Sequence, residues 1–200
     1  MLLTKEFETA KTVLDNSGVV AFPTETIMGL GIYFNDEKAY QYLNEIKNRP
    51  NDKPYTLMLG DVNDINKYAL VNFKASKIIK AFMPGPVTLL LKAKESVPGY
   101  VTHNTGVIGV RVPKLELVCD FIKYCKKPLL VPSANKSGDK PALTSNEVIN
   151  IFGDSVGYVF NADSLGDTPS TIIDLTGEQV KILREGPVSK SDINDVLKGD

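Results

Sequence analysis

Short apolar runs typical of strands alternate with amphipathic segments typical of helices along most of this chain. The two patterns differ in hydrophobic period, which is the main signal of secondary structure in a single sequence. Near the C-terminal end three strand-like runs follow one another, at about 157–161, 171–175 and 180–183. Interspersed strands and helices, with adjacent strands at one end, predict a mixed α/β (α+β) fold in which helices flank a twisted, mixed and largely antiparallel sheet.

Start and stop signals place the other predicted elements. Asn35 or Asp36 can cap one helix, Thr144 and Glu147 have the capping-box spacing, and Ser189 can cap the last helix. The predicted helices cover about 4–16, 36–47, 74–83, 114–124, 145–152 and the segment after 189. The remaining predicted strands cover about 19–22, 56–60, 87–92, 107–112 and 129–131.

Length and composition limit the classes of protein to which this chain can belong. The 200 residues fit one domain, and we predict a single domain over 1–200. The formal net charge of -1 gives no sign of a nucleic-acid-binding tail. No apolar stretch approaches the roughly 20 residues that cross a membrane, and the N-terminus lacks the order of a signal peptide. Two cysteines and one histidine cannot form a conventional zinc site, so we expect buried thiols and a cytoplasmic protein.

The segment that follows the first predicted strand has an unusual composition. The apolar run 19–22 leads directly into PTETIMGLG at 23–31, with a proline, hydroxyls, a carboxylate and two glycines. Proline blocks the continuation of a central strand, and glycine permits backbone geometries that other residues avoid. Such a segment is well placed to line a pocket, although an ordinary surface turn would have the same residue types.

Four predicted strands have small polar or cationic residues next to one end. These residues are Thr24 to Thr26, Ser133 to Gly138, Ser170 with Thr171, and Arg184. Hydroxyls, amides and exposed backbone at strand ends are what a pocket for a phosphorylated ligand needs. Each segment alone is typical of a turn. Together they predict a shared pocket, because sheet topology can bring strand ends to one edge.

A pocket for a phosphorylated ligand also needs cations. Lys47 and Arg49 lie at the end of a predicted helix, and Lys53 follows closely. A positive charge near the end of a helix is also favourable for the helix dipole alone. Arg111 lies in an alternating strand and shares a face with Gly109, so we expect it to face a cleft or an anionic partner. Its guanidinium can bind a carboxylate or phosphate through two hydrogen bonds, and a structural salt bridge is the alternative.

The best-known nucleotide and hydrolase motifs are absent. The chain has no P-loop sequence, and the glycines at 29 and 31 lack the later glycine of the dinucleotide fingerprint. His103 is the only histidine, so no Ser/His/Asp triad can form. The sequence therefore predicts chemistry driven by positioning and charge neutralisation rather than by a protein nucleophile.

Several dispersed motifs, taken in order, resemble one known family. The motifs are PTETIMGLG at 23–31, KNRP at 47–50, PGPVTL at 84–89, VRVP at 110–113, PSAN at 132–135 with Ser137 and Gly138, Ser170-Thr171, and Leu183-Arg184. In this order they resemble the YrdC/TsaC family, the L-threonylcarbamoyladenylate synthases, in its short single-domain form.

This resemblance implies a fold and a reaction. The fold is a twisted sheet around a large concave pocket. The implied reaction makes L-threonylcarbamoyl-AMP and pyrophosphate from L-threonine, bicarbonate or CO2, and ATP. The resemblance implies Mg2+ bound mainly through the ATP phosphates and names no protein metal ligand. It also implies that the product passes to the tRNA threonylcarbamoyl-transfer machinery, for the t6A modification of tRNAs that read ANN codons.

The resemblance also implies roles for individual residues. On the threonine side it implies Thr26, Arg111 and Ser170. On the ATP side it implies Lys47, Arg49, Lys53, Ser133, Asn135 and Arg184, with Lys47 and Arg49 as the catalytic cations. Three residues that bear on threonine recognition depart from the usual family pattern, namely Met28, Met58 and Val107, and Lys53 is a fourth departure, on the ATP side.

Two other functions fit parts of the same sequence. A module that binds double-stranded RNA or tRNA without catalysis of its own could use the same cations, although the near-neutral charge argues against strong RNA binding. A relative that transfers a carbamoyl group from carbamoyl phosphate would be expected to carry zinc-finger and acylphosphatase domains, which this sequence lacks.

Overall fold

A computed structural model gives the structure of residues 2–49 and 54–198. Within these residues the chain forms eight α-helices and ten strands. The helices are α1 (Leu2–Asp15), α2 (Glu37–Ile46), α3 (Ile65–Tyr68), α4 (Phe73–Phe82), α5 (Gly99–Thr102), α6 (Glu116–Cys125), α7 (Ser145–Phe152) and α8 (Lys190–Lys198). The strands are β1 (Val20–Phe22), β2 (Gly29–Tyr33), β3 (Thr56–Met58), β4 (Ala69–Leu70), β5 (Val87–Ala93), β6 (Val107–Arg111), β7 (Leu129–Leu130), β8 (Tyr158–Val159), β9 (Thr171–Asp174) and β10 (Lys181–Arg184).

The strands join in one sheet with the order β10-β9-β5-β6-β3-β7-β2-β1-β8, and β4 pairs separately with β5. Three pairs are parallel, namely β1 with β8, β3 with β6 and β5 with β9. The other pairs between the described strands are antiparallel. The mixed, largely antiparallel sheet predicted from the sequence is therefore confirmed.

Two hydrophobic cores cover the two faces of this sheet. Successive residues of β1, together with the residue before it, alternate between them, because side chains along a strand point to opposite faces. Val20 and Phe22 pack in the core that includes α1 and α6, whereas Val19 and Ala21 pack in the larger core with α2, α4, α7 and α8. Helices therefore cover the sheet on both sides, and the strand ends are left to form a site.

The helix starts predicted from capping residues are confirmed. The Asp36 carboxylate accepts from the Ala39 amide at 2.9 Å and caps α2. Thr144 and Glu147 form a complete capping box at the start of α7. Cys119 and Cys125 are buried free thiols, and burial raises the pKa of Cys125 to about 11. In the described part of the chain, no helix has the length and apolar composition needed to cross a membrane.

The two glycines after the first strand have a different role from the one expected. Gly29 and Gly31 belong to β2, a strand that the sequence did not predict, and neither has a positive φ. A Cβ atom on Gly31 would lie 2.6 Å from Cε1 of Phe22, and one on Gly29 would lie 2.7 Å from Cγ1 of Val131. The expectation that these glycines supply unusual backbone geometry was wrong. They leave room for a side chain of β1 and for one just after β7.

We expect Gly31→Ala to lower the free energy of unfolding by about 1–3 kcal/mol, because the added methyl overpacks against the Phe22 ring. Urea denaturation measures this change. Gly177→Ala is the matched control, because a Cβ there meets no atom within 4 Å. Both variants lose the same backbone freedom in the unfolded chain. Equal stability of the two variants would contradict the packing role.

Candidate active site

The segments singled out in the sequence meet at one concave pocket of about 260 Å3. Thr26 reaches it from the β1–β2 connection, Arg111 from the end of β6, and Ser133 from the segment after β7. Ser170, just before β9, and Arg184, at the end of β10, complete the opposite side. The sheet order brings these segments together although they are far apart along the chain.

Arg111 is buried against the pocket with part of its donor capacity unused. Its Nη2 donates to the Thr26 hydroxyl at 3.0 Å and lies 2.9 Å from Oε1 of Glu25. This contact with Glu25 is an ion pair without hydrogen-bond alignment, because neither Glu25 oxygen has a hydrogen-bond partner in the described residues. The Arg111 Nε also has no partner there. A buried guanidinium with a spare donor is suited to binding an anion or a hydroxyl.

The position of Thr26 is set by its neighbour Thr24. The two hydroxyl oxygens lie 2.8 Å apart, and the Thr24 hydroxyl also accepts from the backbone amides of Thr26 and Ile27. This local turn is typical of hydroxyl residues. It holds the Thr26 hydroxyl where Arg111 donates to it, so both side chains face the pocket in a defined geometry.

Ser170 is held from two directions. Its hydroxyl lies 2.9 Å from the hydroxyl of Thr88 on β5, and Arg184 donates through Nε to its backbone oxygen at 3.0 Å. Partial burial first, and then the charge of Arg111, lower the pKa of the Arg184 guanidinium. The two guanidiniums therefore share one electropositive region. Sequence analysis gave no role to Thr88, although a hydroxyl among the apolar residues of 87–91 could have signalled it.

Arg49 lies at another side of the pocket. Its Nη2 donates to the Pro54 oxygen at 3.3 Å, and its Cζ lies 4.8 Å from the centroid of the Tyr55 ring. Both Arg49 and Tyr55 line the pocket. Tyr55 was not identified from the sequence. Lys53, which the sequence also placed on the ATP side, lies outside the described residues.

Lys47 does not line the pocket. The side chain is 1% exposed, and its Nζ donates to the backbone oxygens of Ser133 and Asn135, each at 2.5 Å. Burial first, and then the charges of Arg49 and Lys136, lower its pKa to about 7. The ammonium lies behind the segment that carries Ser133, and its predicted contact with ATP stays a prediction.

Asn135 is also buried, and its amide is used within its own loop. It accepts from the Ser133 hydroxyl at 2.6 Å and donates to the backbone oxygens of Lys136 and Asp139. These bonds fix the direction of the Ser133 hydroxyl, which does line the pocket. The structure thus places Ser133 at the pocket surface and Asn135 behind it.

The pocket also has an apolar part, to which Met28, Met58 and Ile172 contribute. The third departure from the family pattern, Val107, begins β6 and does not line the pocket. No aspartate or glutamate among the described residues lines the pocket, and these residues hold no group of three or more His, Cys, Asp and Glu side chains that could bind a metal. The side chains present do not fit a metal site built from protein ligands alone.

A family model named Sua5_yciO_yrdC, with the description "Telomere recombination", matches residues 12–186. The chain belongs to the Sua5/YciO/YrdC family. The family resemblance inferred from the motifs is thereby confirmed. The Sua5/YciO/YrdC match includes every predicted site residue and the whole described pocket.

Curated relatives in the family have names that describe an activity. A threonylcarbamoyl-AMP synthase of Pyrococcus abyssi is 34% identical over 90% of this chain, which spans 53% of the length of that protein. A threonylcarbamoyl-AMP synthase of Photorhabdus laumondii is 37% identical over 86% of this chain and is covered over 93% of its own length. The chain is thus similar both to longer relatives and to relatives of its own size.

Solved structures of the family have the same fold. A P. abyssi Sua5 structure, described as complexed with L-threonine, matches 96% of this chain and 57% of its own at a TM-score of 0.91, with 30% sequence identity. The E. coli YciO structure matches 92% of this chain and 90% of its own at a TM-score of 0.85, with 26% sequence identity. The fold class predicted from the sequence is confirmed by these neighbours.

Proposed function

We propose that this protein is a threonylcarbamoyl-AMP synthase, which makes L-threonylcarbamoyl-AMP and pyrophosphate from L-threonine, bicarbonate or CO2, and ATP. The observation that carries the proposal is the pair formed by Arg111 and Thr26 at the pocket, with a spare guanidinium donor. Family membership and the names of the curated relatives support it. The L-threonine complex of P. abyssi Sua5, a structure with the same fold, agrees with an amino-acid substrate.

The pocket supplies charges for substrates that bring the reactive groups themselves. The threonine amine combines with CO2 to give a carbamate and a proton. A carbamate oxygen then forms a bond to the α-phosphorus of ATP, and the bond from that phosphorus to the pyrophosphate oxygen breaks. Negative charge builds up on phosphate oxygens, so fixed cations and correct alignment lower the barrier.

Within this proposal each residue has a simple task. Arg111, with Thr26 and Ser170 beside it, binds the amino acid and receives its carboxylate. Arg49, Arg184 and Ser133 bind ATP, with the two guanidiniums on phosphate oxygens. Lys47 and Asn135 are buried behind the Ser133 segment, so their contacts with ATP stay a prediction.

Cofactor, partners and location belong to the same proposal. The absence of carboxylates from the described pocket lining is consistent with Mg2+ that enters on the ATP phosphates, which needs few protein ligands. The product would pass to the machinery that modifies tRNA with t6A, in the cytoplasm, and weak RNA binding stays a prediction. No step of the chemistry above depends on a protein-bound metal.

The proposal is tested by incubating the purified protein with ATP, Mg2+, bicarbonate and L-threonine. We expect pyrophosphate and a labile adenylate, with release that depends on both L-threonine and bicarbonate. Reactions without threonine, without bicarbonate and without enzyme are the controls. Protein that is folded by circular dichroism but releases no pyrophosphate above the enzyme-free control would overturn the proposal.

A further inference from the structure

We propose that Tyr55 is a positioning residue for Arg49, and that its ring is a fixed platform on which the guanidinium is presented to the pocket. The motifs that carry the family resemblance do not include Tyr55. The consequence for ATP rests on the proposed function, because it is there that Arg49 binds phosphate. The positioning itself rests only on contacts within this protein.

The contact between the two residues is close, and its aromatic side is buried. The Arg49 Cζ lies 4.8 Å from the centroid of the Tyr55 ring, within the distance at which a cation and an aromatic face attract each other. Tyr55 is 2% exposed, so the guanidinium packs on a ring that water hardly reaches. Arginine has many rotamers, and a planar group stacked on a ring loses most of that freedom before a ligand arrives.

The ring itself is held by residues behind it. The Tyr55 hydroxyl donates to Oδ1 of Asn44 at 2.5 Å, and the Tyr55 ring centroid lies 5.2 Å from that of Tyr40. Tyr40 in turn lies 5.2 Å from the ring of Tyr100 and 2.7 Å, oxygen to Nε2, from His103. We call Tyr100, Tyr40 and Tyr55 the aromatic ladder. It runs from α5 across α2 to the pocket, so the platform is anchored to two helices.

One residue of α2 connects both partners. The backbone oxygen of Asn44 accepts from the Arg49 amide at 3.0 Å, and its side-chain oxygen accepts from the Tyr55 hydroxyl. The Arg49 guanidinium also donates to Pro54, the residue before Tyr55. Asn44 thus links the main chain of Arg49 to the Tyr55 side chain, and Pro54 holds the Arg49 guanidinium next to the Tyr55 ring. Loss of the ring should loosen the guanidinium while the end of α2 keeps its place.

The first readout needs no ligand. The NMR order parameter of the Arg49 Nε–H group is measured in the wild type, in Tyr55→Phe and in Tyr55→Leu. We expect an ordered guanidinium in the wild type and in Tyr55→Phe, which keeps the ring, and a clearly more mobile one in Tyr55→Leu. If Tyr55→Leu does not fold, Tyr55→Met replaces it. An equally mobile Arg49 in the wild type would overturn the inference, whatever reaction the protein catalyses.

The second readout is the Michaelis constant for each substrate. We expect Tyr55→Leu to raise the KM for ATP about tenfold and the KM for L-threonine by less than about twofold, with Tyr55→Phe close to the wild type. Phe73→Leu is the control, because it removes a 75% exposed ring under Lys77 in a second cation–aromatic pair away from the pocket. Phe73→Leu should change neither constant.

A double variant separates action through Arg49 from any direct role of the ring. In an Arg49→Met background, Tyr55→Leu should raise the KM for ATP no further. A full additional increase there, or a Tyr55→Phe variant as impaired as Tyr55→Leu, would overturn the positioning role. An inactive wild type with an ordered Arg49 that loosens in Tyr55→Leu would instead refute the proposed function and leave the positioning role standing.

Discussion

Arg111→Lys is expected to lower kcat/KM for L-threonine by about 10–100-fold, while the KM for ATP changes by less than about threefold. Lysine keeps the charge but cannot donate to Thr26 and to a substrate carboxylate with the fixed geometry of a guanidinium. The conservative change is preferable to alanine, because alanine would leave the Glu25 carboxylate buried beside the pocket without its cation. The lower kcat/KM of Arg111→Lys should therefore result from weaker recognition of the amino acid and not from damage to the fold.

Initial rates of pyrophosphate release, with each substrate varied in turn, measure the two constants for Arg111→Lys. ATP binding in the absence of threonine is followed separately by calorimetry. Lys92→Met is the control, because it removes an exposed cation from β5, the strand next to β6, without touching the pocket. Equal losses for threonine and ATP would contradict the assignment of Arg111 to the amino acid.

The features of the fold that were predicted correctly are formed by residues that lie close together in the sequence. The Thr144 and Glu147 capping box spans four residues, and the exchange of hydrogen bonds that it predicts is present. Strand β2 was missed because glycine is rare in strands and because its two glycines were attributed to unusual backbone geometry. Only the positions of Phe22 on β1 and of Val131 just after β7 explain why glycine is required there.

At the site, too, interactions between residues close in the sequence could be predicted, whereas those between distant residues could not. The alternation along β6 was enough to predict that Arg111 faces away from Val110, towards a cleft. The burial of Lys47 could not be read from its own surroundings, because the oxygens that accept from it belong to residues 86 and 88 positions further along the chain. The role of Tyr55 could not be predicted either, because it depends on contacts of its ring with Tyr40 of α2, which packs on Tyr100 of α5.

Lys47 leads to the second prediction with a large expected effect, because its ammonium is buried with no carboxylate partner among the described residues. An ammonium in the unfolded chain titrates near the usual value of 10.5, whereas burial lowers the folded-state pKa to about 7. Between these values the unfolded chain holds a proton that the folded protein has released. Unfolding then takes up a proton, so the free energy of unfolding contributed by Lys47 rises with pH across this window.

We therefore expect the stability of the wild type, minus that of Lys47→Met, to increase by about 2 kcal/mol between about pH 7 and pH 9. Methionine has a similar length and no ionisable group, so the variant lacks this pH dependence while other titrations are common to both proteins. Urea denaturation at a series of pH values measures the difference. Lys140→Met removes one lysine at an exposed position and is the control. The stability of the wild type minus that of Lys140→Met should not increase between about pH 7 and pH 9.

The absolute effect of Lys47→Met depends on two opposing contributions. Methionine leaves the oxygens of Ser133 and Asn135 without their donor, which costs about 1–3 kcal/mol for each buried carbonyl. It also removes the cost of burying a charge, which is largest at low pH. The variant should therefore be least harmful near or below pH 7 and most harmful at high pH, where wild-type Lys47 is neutral and both hydrogen bonds remain. A difference that stays constant with pH would mean that the two carbonyls keep the ammonium charged, and Lys47 would then be a permanent cation behind Ser133.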